Sequence, residues 1–178
     1  MAGLERRADI KHYDPQNFEP RQGSFDCVVS TETLFQIEEK DNLLAKLEAS
    51  LKSHGQLVFT DFVLGEGVSA EDEGLNALSP KPTFWSGEQY ARHLRARNFD
   101  LRIGENITAK YCKLVIDGCA NFTKGGPVLA ANFKAYPAPV RALMDQLAVR
   151  KAAFDSGLLK VMRFSAIKLS SAKLLSDW

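Results

Sequence analysis

Acidic and hydroxyl side chains stand at the ends of two apolar runs of this sequence. Ser30 closes the run FDCVVS and is followed by Thr31 and Glu32, and Asp61 lies near the end of the run QLVFTDFVL. In an open α/β sheet, ligands bind beyond the carboxyl ends of the strands. An acid at Asp61 is suited to orienting a substrate amine or a cofactor, and it is equally suited to hydrogen-bonding a nearby turn. These residues predict a binding site at one edge of a sheet.

Other common kinds of chemistry have no matching residue pattern. There is no Ser-His-Asp arrangement with supporting context and no Walker-type phosphate loop. His12, His54 and His93 are far apart and none has ligand spacing with a cysteine, so no metal site is predicted. The G-x-G-x-x-A stretch at 65–70 leads into acids instead of a helix, which favours a flexible loop over a dinucleotide site. No residue is assigned as catalytic.

A strand–helix–strand unit is predicted around the first of these polar ends. FDCVVST, residues 25–31, is a continuous apolar run, which predicts a strand buried on both faces with Cys27 as a small core residue. Leucines at helical spacing follow, and they predict a helix that Asp41 caps and that ends near Gly55. The next strand is predicted at 56–64. A crossover helix between two strands predicts that they run parallel.

The rest of the chain continues the alternation of helices and strands. A polar, glycine-rich stretch at 65–84 predicts a mobile connection. A helix follows, with Ser86 as N-cap, Gln89 completing a capping box and Tyr90 on the buried side. FDLRIGENITAKY predicts a strand, residues 113–154 are expected to be mostly helix, and LLKVMRFSAIKL alternates as a half-exposed or edge strand does. The predicted fold class is therefore α/β with a largely parallel sheet.

Length and composition are those of an ordinary globular protein. The 178 residues suit a single domain spanning 1–178. The net charge of +1, from 23 basic and 22 acidic side chains, offers no basic surface for nucleic acid. No apolar run approaches the length of a membrane span. Three cysteines without framework spacing predict reduced thiols and a cytoplasmic location.

The block GSFDCVVSTETLFQIEEKDNLLAKLEASLKSHGQLVFTDFV resembles the middle of a class I S-adenosylmethionine-dependent methyltransferase. In that family a strand of the type sFDvV precedes a helix and an Lk-x-G-G-x-l turn, which here reads LKSHGQL. Residues 8–18, ADIKHYDPQNF, resemble the preceding strand, expected around 9–13, and its acidic turn. SGLLKVMRFSAIK resembles the final antiparallel strand. The resemblance implies a Rossmann-like sheet, mostly parallel with a C-terminal antiparallel strand, and helices on both faces.

The resemblance also implies a cofactor and a site. An acid at the position of Asp14 commonly accepts a hydrogen bond from the adenine amino group, and residues matching 30–32 border the methionine part. Asp61 and Tyr90 are assigned to substrate binding, although aromatic residues at such spacing are more often core. The implied activity is methyl transfer from S-adenosylmethionine to a small-molecule acceptor.

The sequence departs from the family pattern before its FDCVVS strand. The family's glycine-rich loop and the acid that ends its second strand are not found, because the preceding segment resembles only the third strand. We therefore expect an incomplete sheet lacking the first two strands, inactive alone and binding cofactor only if the missing half is supplied. An unpaired apolar edge invites pairing with another chain, so a homo-oligomer or domain-swapped dimer is expected. The alternative function is a non-catalytic fragment or pseudoenzyme subunit that acts by protein–protein association.

Overall fold

Strands and helices alternate along the chain, as the sequence predicts. The computed structural model describes residues 8, 9, 12, 14, 17–78, 83–118 and 137–170. The predicted strand around 9–13 lies largely outside these residues, as does part of the predicted helical region 113–154. No helix in the described part of the chain combines the length and apolar character needed to cross a membrane. The elements are β1 (Phe25–Thr31), α1 (Lys40–Ser50), β2 (Leu51–Leu64), α2 (Gly87–Ala96), β3 (Phe99–Asn106), α3 (Thr108–Tyr111) with a π-helical extension (Cys112–Ile116), α4 (Pro137–Asp155) and β4 (Leu159–Lys168).

The four described strands form one sheet in the order β1-β2-β4-β3. β1 and β2 pair in parallel, and β4 pairs antiparallel with both β2 and β3. Three strands therefore run in one direction and only β4 opposes them, which confirms the Rossmann-like α/β sheet with a C-terminal antiparallel strand. Of the two alternatives predicted for β4, it is the half-exposed strand and not an edge of the described sheet, because buried and partly exposed residues alternate along it between β2 and β3. Arg163 of β4 forms an ion pair with Glu105, which lies opposite it on β3, so alternation here does not require an edge.

Helices cover both faces of the sheet, as predicted. On one face, leucines of α1 and α2 pack with alternate β2 residues such as Leu57 and Phe59. On the other face, α3, its π-helical extension and α4 pack with Phe62 and Leu64 of the same strand. β2 is thus enclosed on both faces at its carboxyl end, and that enclosure determines the environment of Asp61.

β1 is the outermost strand of the described sheet, and much of it is exposed. Phe25 is 44% exposed and Val29 is 70% exposed, while Cys27 also faces solvent. Val28, on the opposite face, packs against the core that α1 covers. The prediction of a strand buried on both faces with Cys27 in the core was therefore wrong. An apolar sequence does not by itself bury a strand, and among the described residues β1 pairs with β2 only.

α2 begins with the predicted capping box. The Ser86 hydroxyl accepts a hydrogen bond from the Gln89 backbone amide at 3.1 Å, and the Gln89 side chain accepts one from the Ser86 amide at 2.7 Å. Residues 65–78 before it, predicted as a mobile connection, are mostly exposed but contact the core through the buried Leu75 and Leu78. No helix opens on 65–70. A Cβ on Gly65 would lie 1.8 Å from the Gly157 carbonyl oxygen, so this glycine serves a close approach between two backbone segments.

The start of α1 differs from its prediction. Glu39 occupies the N-cap position without a side-chain hydrogen bond, so Asp41 does not cap the helix. The Asp41 carboxylate instead pairs with Arg97 and, at 2.6 Å, with Nδ1 of His93. The Arg97 hydrogen bond is the main reason that the pKa of Asp41 lies below its usual value. Asp41 therefore joins α1 to the end of α2.

Candidate functional site

The carboxyl end of β1 is an open polar turn beside β2, formed by Ser30, Thr31 and Glu32 and called here the 30–32 turn. Thr31 lies opposite Thr60 in the parallel register, and the Glu32 amide donates a hydrogen bond to the Thr60 carbonyl at 2.8 Å. Glu32 has a φ of 50°, in the left-handed region that is unfavourable for a residue with a side chain. The strand therefore stops at Glu32, and the chain changes direction at a strained residue.

The side chains of the 30–32 turn remain accessible to a ligand. Thr31 is exposed, and Ser30 and Glu32 are half-buried. The Ser30 hydroxyl lies 2.6 Å from that of Thr33. The Glu32 carboxylate accepts hydrogen bonds from the hydroxyls of Thr60 and Tyr111, each at a long 3.3 Å. The turn thus presents hydroxyl and carboxylate oxygens whose present bonds a stronger donor, such as an ammonium group, could replace.

Asp61, near the end of the neighbouring strand, is completely buried. Its carboxylate accepts a hydrogen bond from the Phe35 backbone amide at 3.1 Å and one from the Tyr90 hydroxyl at 2.6 Å. Burial raises the pKa of Asp61 to about 6, although both hydrogen bonds and the charge of Lys40 act to lower it. Burial likewise raises the pKa of Tyr90, and the Asp61 charge adds to that rise. Of the two roles predicted for Asp61, the structure supplies the hydrogen bond to a turn.

Lys40 is a third buried polar residue, and sequence reasoning missed it. Its side chain is 1% exposed, and its ammonium donates to the Ile37 carbonyl at 2.6 Å and to the hydroxyl and carbonyl of Thr83. Burial lowers the pKa of Lys40 to about 8, against the attraction of Asp61. A lysine that opens a helix usually stays in solvent, so only the tertiary structure distinguishes this one.

Asp61, Tyr90 and Lys40 together form what we call the buried polar cluster. It joins β2, α2 and the start of α1 to the 3-10 turn Leu34–Gln36, which follows the 30–32 turn directly. The cluster therefore fixes the position of the chain that leaves the carboxyl end of β1. Contact of Asp61 or Tyr90 with a substrate stays a prediction, and it requires the cluster to open.

Asp14 lies away from the 30–32 turn. Its carboxylate accepts a hydrogen bond from the Asn17 side chain at 2.6 Å, and it lines a cleft of about 890 Å³. Phe25 and Ser50 line the same cleft, which places it beside the amino end of β1 and the carboxyl end of α1. No residue of the 30–32 turn lines this cleft. The structure therefore does not bring Asp14 to the same end of β1, and its contact with adenine stays a prediction.

A smaller cavity, the α4 cavity, lies between the 3-10 turn and α4. Its volume is about 140 Å³, and Phe35, Phe62 and Phe84 form its aromatic wall. Val149 and Arg150 of α4 form the facing side. Phe35 thus contributes its backbone amide to the buried polar cluster and its ring to this cavity.

A Rossmann-like sheet with polar residues at the ends of its parallel strands defines a ligand-binding α/β domain. A family model described as a methyltransferase domain matches residues 3–102, which is more than half of the chain. The chain belongs to this family, the class I S-adenosylmethionine-dependent methyltransferases, as its FDCVVS-to-GQL block predicted. A search of curated proteins finds no match.

Solved structures of methyltransferases and of a cyclopropane synthase share this fold at low sequence identity. Phosphoethanolamine N-methyltransferase 2 of Haemonchus contortus is 18% identical, with a TM-score of 0.72 over 86% of this chain and 36% of its own. The O-methyltransferase of a Brevibacillus brevis trans-AT polyketide synthase is 16% identical, with a TM-score of 0.67 over 93% of this chain and 51% of its own. The cyclopropane synthase MmaA2 of Mycobacterium tuberculosis is 13% identical, with a TM-score of 0.65 over 86% of this chain and 57% of its own. The chain therefore spans about a third to somewhat over half of these proteins.

Proposed function

We propose, in place of the expected dependence on a missing half, that this chain, folded as one domain over 1–178, binds S-adenosylmethionine at the carboxyl end of β1 and methylates a small molecule. The accessible 30–32 turn carries this proposal, because it places polar side chains at a strand end of a methyltransferase sheet. The H. contortus relative is in complex with phosphomonomethylethanolamine and S-adenosylhomocysteine, which supports a small acceptor and this cofactor here. The cytoplasmic location predicted from cysteine usage stays part of the proposal.

The residues of the 30–32 turn suit the amino-acid part of the cofactor. The Glu32 carboxylate can accept hydrogen bonds from an ammonium group, and the hydroxyls of Ser30 and Thr31 can donate to a carboxylate. When bound, S-adenosylmethionine supplies an electrophilic sulfonium methyl group. In the part of the chain that the structure describes, no glycine-rich loop precedes β1, so these residues form one side of the site. The buried polar cluster keeps that side in a fixed position, which favours an in-line approach of the acceptor.

Calorimetric titration with S-adenosylhomocysteine tests the proposal. We expect saturable binding with Kd below ~100 μM, or more than ~5.5 kcal/mol. Replacing Glu32 with Gln should weaken binding about tenfold, because a charge-assisted hydrogen bond becomes a neutral one. Glu38→Gln is the matched control, since Glu38 is exposed and lies outside the 30–32 turn. Absence of binding by a chain that circular dichroism shows to be folded would contradict the proposal.

Protein–protein association is the second candidate function, and the exposed strand β1 favours it. Phe25 and Val29 are 44% and 70% exposed on a strand with one described neighbour. Two copies could pair through this edge, in a homodimer of the kind predicted from the sequence. Val29→Lys should give a monomer in sedimentation velocity, whereas Leu114→Lys, at an apolar residue 63% exposed outside the sheet, should not. A wild-type chain that stays monomeric at about 100 μM, far above a micromolar Kd, would contradict association through β1.

A further inference from the structure

The α4 cavity has the size and lining of a site for one small apolar group. Its volume of about 140 Å³ is close to the ~150 Å³ of an apolar protein cavity known to bind benzene. The rings of Phe35 and Phe84 stack with centroids 6.0 Å apart, and those of Phe35 and Phe62 lie 4.9 Å apart at a tilt. Leu78 completes the apolar wall. The cavity therefore suits a single six-membered ring or a short branched alkyl group.

A cation stands at the side of this cavity. The Arg150 guanidinium carbon lies 5.3 Å from the Phe62 ring centroid and 5.6 Å from that of Phe35. Among the described residues, no carboxylate lies within ion-pair distance of Arg150, whereas Arg97 and Arg163 each pair with one. Arg150 is half-buried, so its charge is screened less than that of a surface arginine.

The guanidinium of Arg150 lies over the rings through its π contacts, and no hydrogen bond to another described residue uses its donors. Such a group has five donors arranged to bind a carboxylate through two parallel hydrogen bonds. Asp145 also lines the cavity, but it is exposed, and solvent weakens its effect on a bound anion. The charge that the inner lining favours is therefore negative.

We propose that the α4 cavity is the acceptor site and that it takes a small aromatic or branched aliphatic carboxylate, with the apolar group among Phe35, Phe62 and Phe84 and the carboxylate on Arg150. The assignment as acceptor site rests on the proposed methyl transfer. It is supported by the position of Phe35, on the 3-10 turn that follows the 30–32 turn. The binding of the carboxylate does not depend on that transfer.

Ligand-observed NMR titration of the full chain with benzoate tests this proposal. Benzyl alcohol and benzylamine are the neutral and cationic counterparts of similar size. We expect benzoate to bind with a millimolar Kd and at least about tenfold more tightly than either counterpart, since only the carboxylate pairs with Arg150. Equal or tighter binding of benzylamine, or no saturable binding of benzoate, would overturn the proposal.

Paired variants locate the binding in the α4 cavity. Ala77→Trp should block it, because Ala77 lines the cavity and is exposed. Ala70→Trp is the matched control, at an exposed alanine of the same connection that is not among the lining residues. Arg150→Met should remove the preference for benzoate over benzyl alcohol and Arg150→Lys should keep most of it, while Arg92→Met, at an exposed arginine of α2, should leave it unchanged. Retention of the benzoate preference in Arg150→Met would contradict the assignment.

Benzoate is titrated without S-adenosylhomocysteine, so the two proposals fail separately. Binding of S-adenosylhomocysteine without binding of benzoate would support the proposed function and contradict the proposed acceptor class. Binding of benzoate at the α4 cavity without binding of S-adenosylhomocysteine would support the carboxylate site and contradict the proposed methyl transfer.

Discussion

The carboxyl ends of β1 and β2 carry similar residues in opposite environments. Glu32 lies at an accessible turn and accepts two hydrogen bonds of 3.3 Å, whereas Asp61 is completely buried and accepts one of 2.6 Å from Tyr90. The difference follows from position in the sheet, because β2 lies between β1 and β4 and β1 is the outermost described strand. In this sheet, the polar residue at a strand end is therefore buried or accessible according to how many described neighbours its strand has.

The two ends also depend on one another. A buried carboxylate is unfavourable unless hydrogen bonds compensate for lost hydration, and Asp61 receives them from Tyr90 and from the Phe35 amide. The amide belongs to the 3-10 turn that continues from the 30–32 turn. The buried polar cluster thus holds the turn that follows the accessible end of β1. We expect substitutions at the buried end to change stability and substitutions at the accessible end to change ligand affinity.

The largest expected effect comes from removing the Asp61 carboxylate. Asp61→Ala leaves the Tyr90 hydroxyl and the Phe35 amide without their buried partner, which should lower the free energy of unfolding by about 3–5 kcal/mol. Urea unfolding measures it. Asp26→Ala is the control, because the Asp26–Lys52 pair is exposed and contributes at most about 1 kcal/mol.

If Asp61→Ala does not fold, its loss of stability cannot be measured. Tyr90→Phe is a milder test of the same cluster. It removes only the hydroxyl that donates to Asp61, and the free energy of unfolding should fall by about 1–3 kcal/mol. A loss no larger than that of Asp26→Ala in either variant would remove the distinction between the two strand ends.

The next effect is a dependence of stability on pH that comes from the buried polar cluster. The pKa of Asp61 is raised to about 6 in the folded chain from 3.8, so its contribution is complete below about pH 3.8 and is lost as the pH rises through 6. The loss amounts to about 3 kcal/mol. Lys40 has the opposite sense, because its lowered pKa of about 8 makes stability rise between about pH 8 and 10.5.

Urea unfolding of wild type and Asp61→Asn at pH 4 and pH 6.5 isolates the Asp61 contribution from other carboxylates. Asp41 works in the other direction, since its pKa is lowered. The difference in unfolding free energy between the two proteins should therefore change by most of the expected ~3 kcal/mol over this range. A constant difference would mean that Asp61 titrates normally and is not a buried support.

The smallest effect on stability is expected at the accessible end. Thr31→Val removes an exposed hydroxyl, so the free energy of unfolding should change by less than about 0.5 kcal/mol. The affinity for S-adenosylhomocysteine should nevertheless fall about 3- to 10-fold, the equivalent of one hydrogen bond. Ser53→Ala, at an exposed residue near the start of β2, should alter neither quantity. Lost stability without lost affinity would make the 30–32 turn a structural feature instead of a binding one.

Local sequence signals predicted the elements and several of their ends. The capping box of Ser86 and Gln89 and the 25–31 strand are read from neighbouring residues, and both are confirmed. Burial depends on the neighbours that tertiary structure supplies, so the exposure of Val29 and the burial of Lys40 were not predictable from the residues alone. The position of Asp14 was not predictable either, because it depends on a segment that lies largely outside the described residues.

Carboxyl-carbon NMR of Asp61 and Glu32, with and without S-adenosylhomocysteine, compares the two strand ends most directly. The Asp61 signal should titrate with a pKa of about 6 and should hardly move when S-adenosylhomocysteine is added. The Glu32 signal should shift on addition of the same ligand, because its carboxylate exchanges weak internal hydrogen bonds for an ammonium group. An Asp61 that titrates near 3.8 and responds to the ligand, beside a Glu32 that does not, would contradict the assignment of support and contact to these two ends.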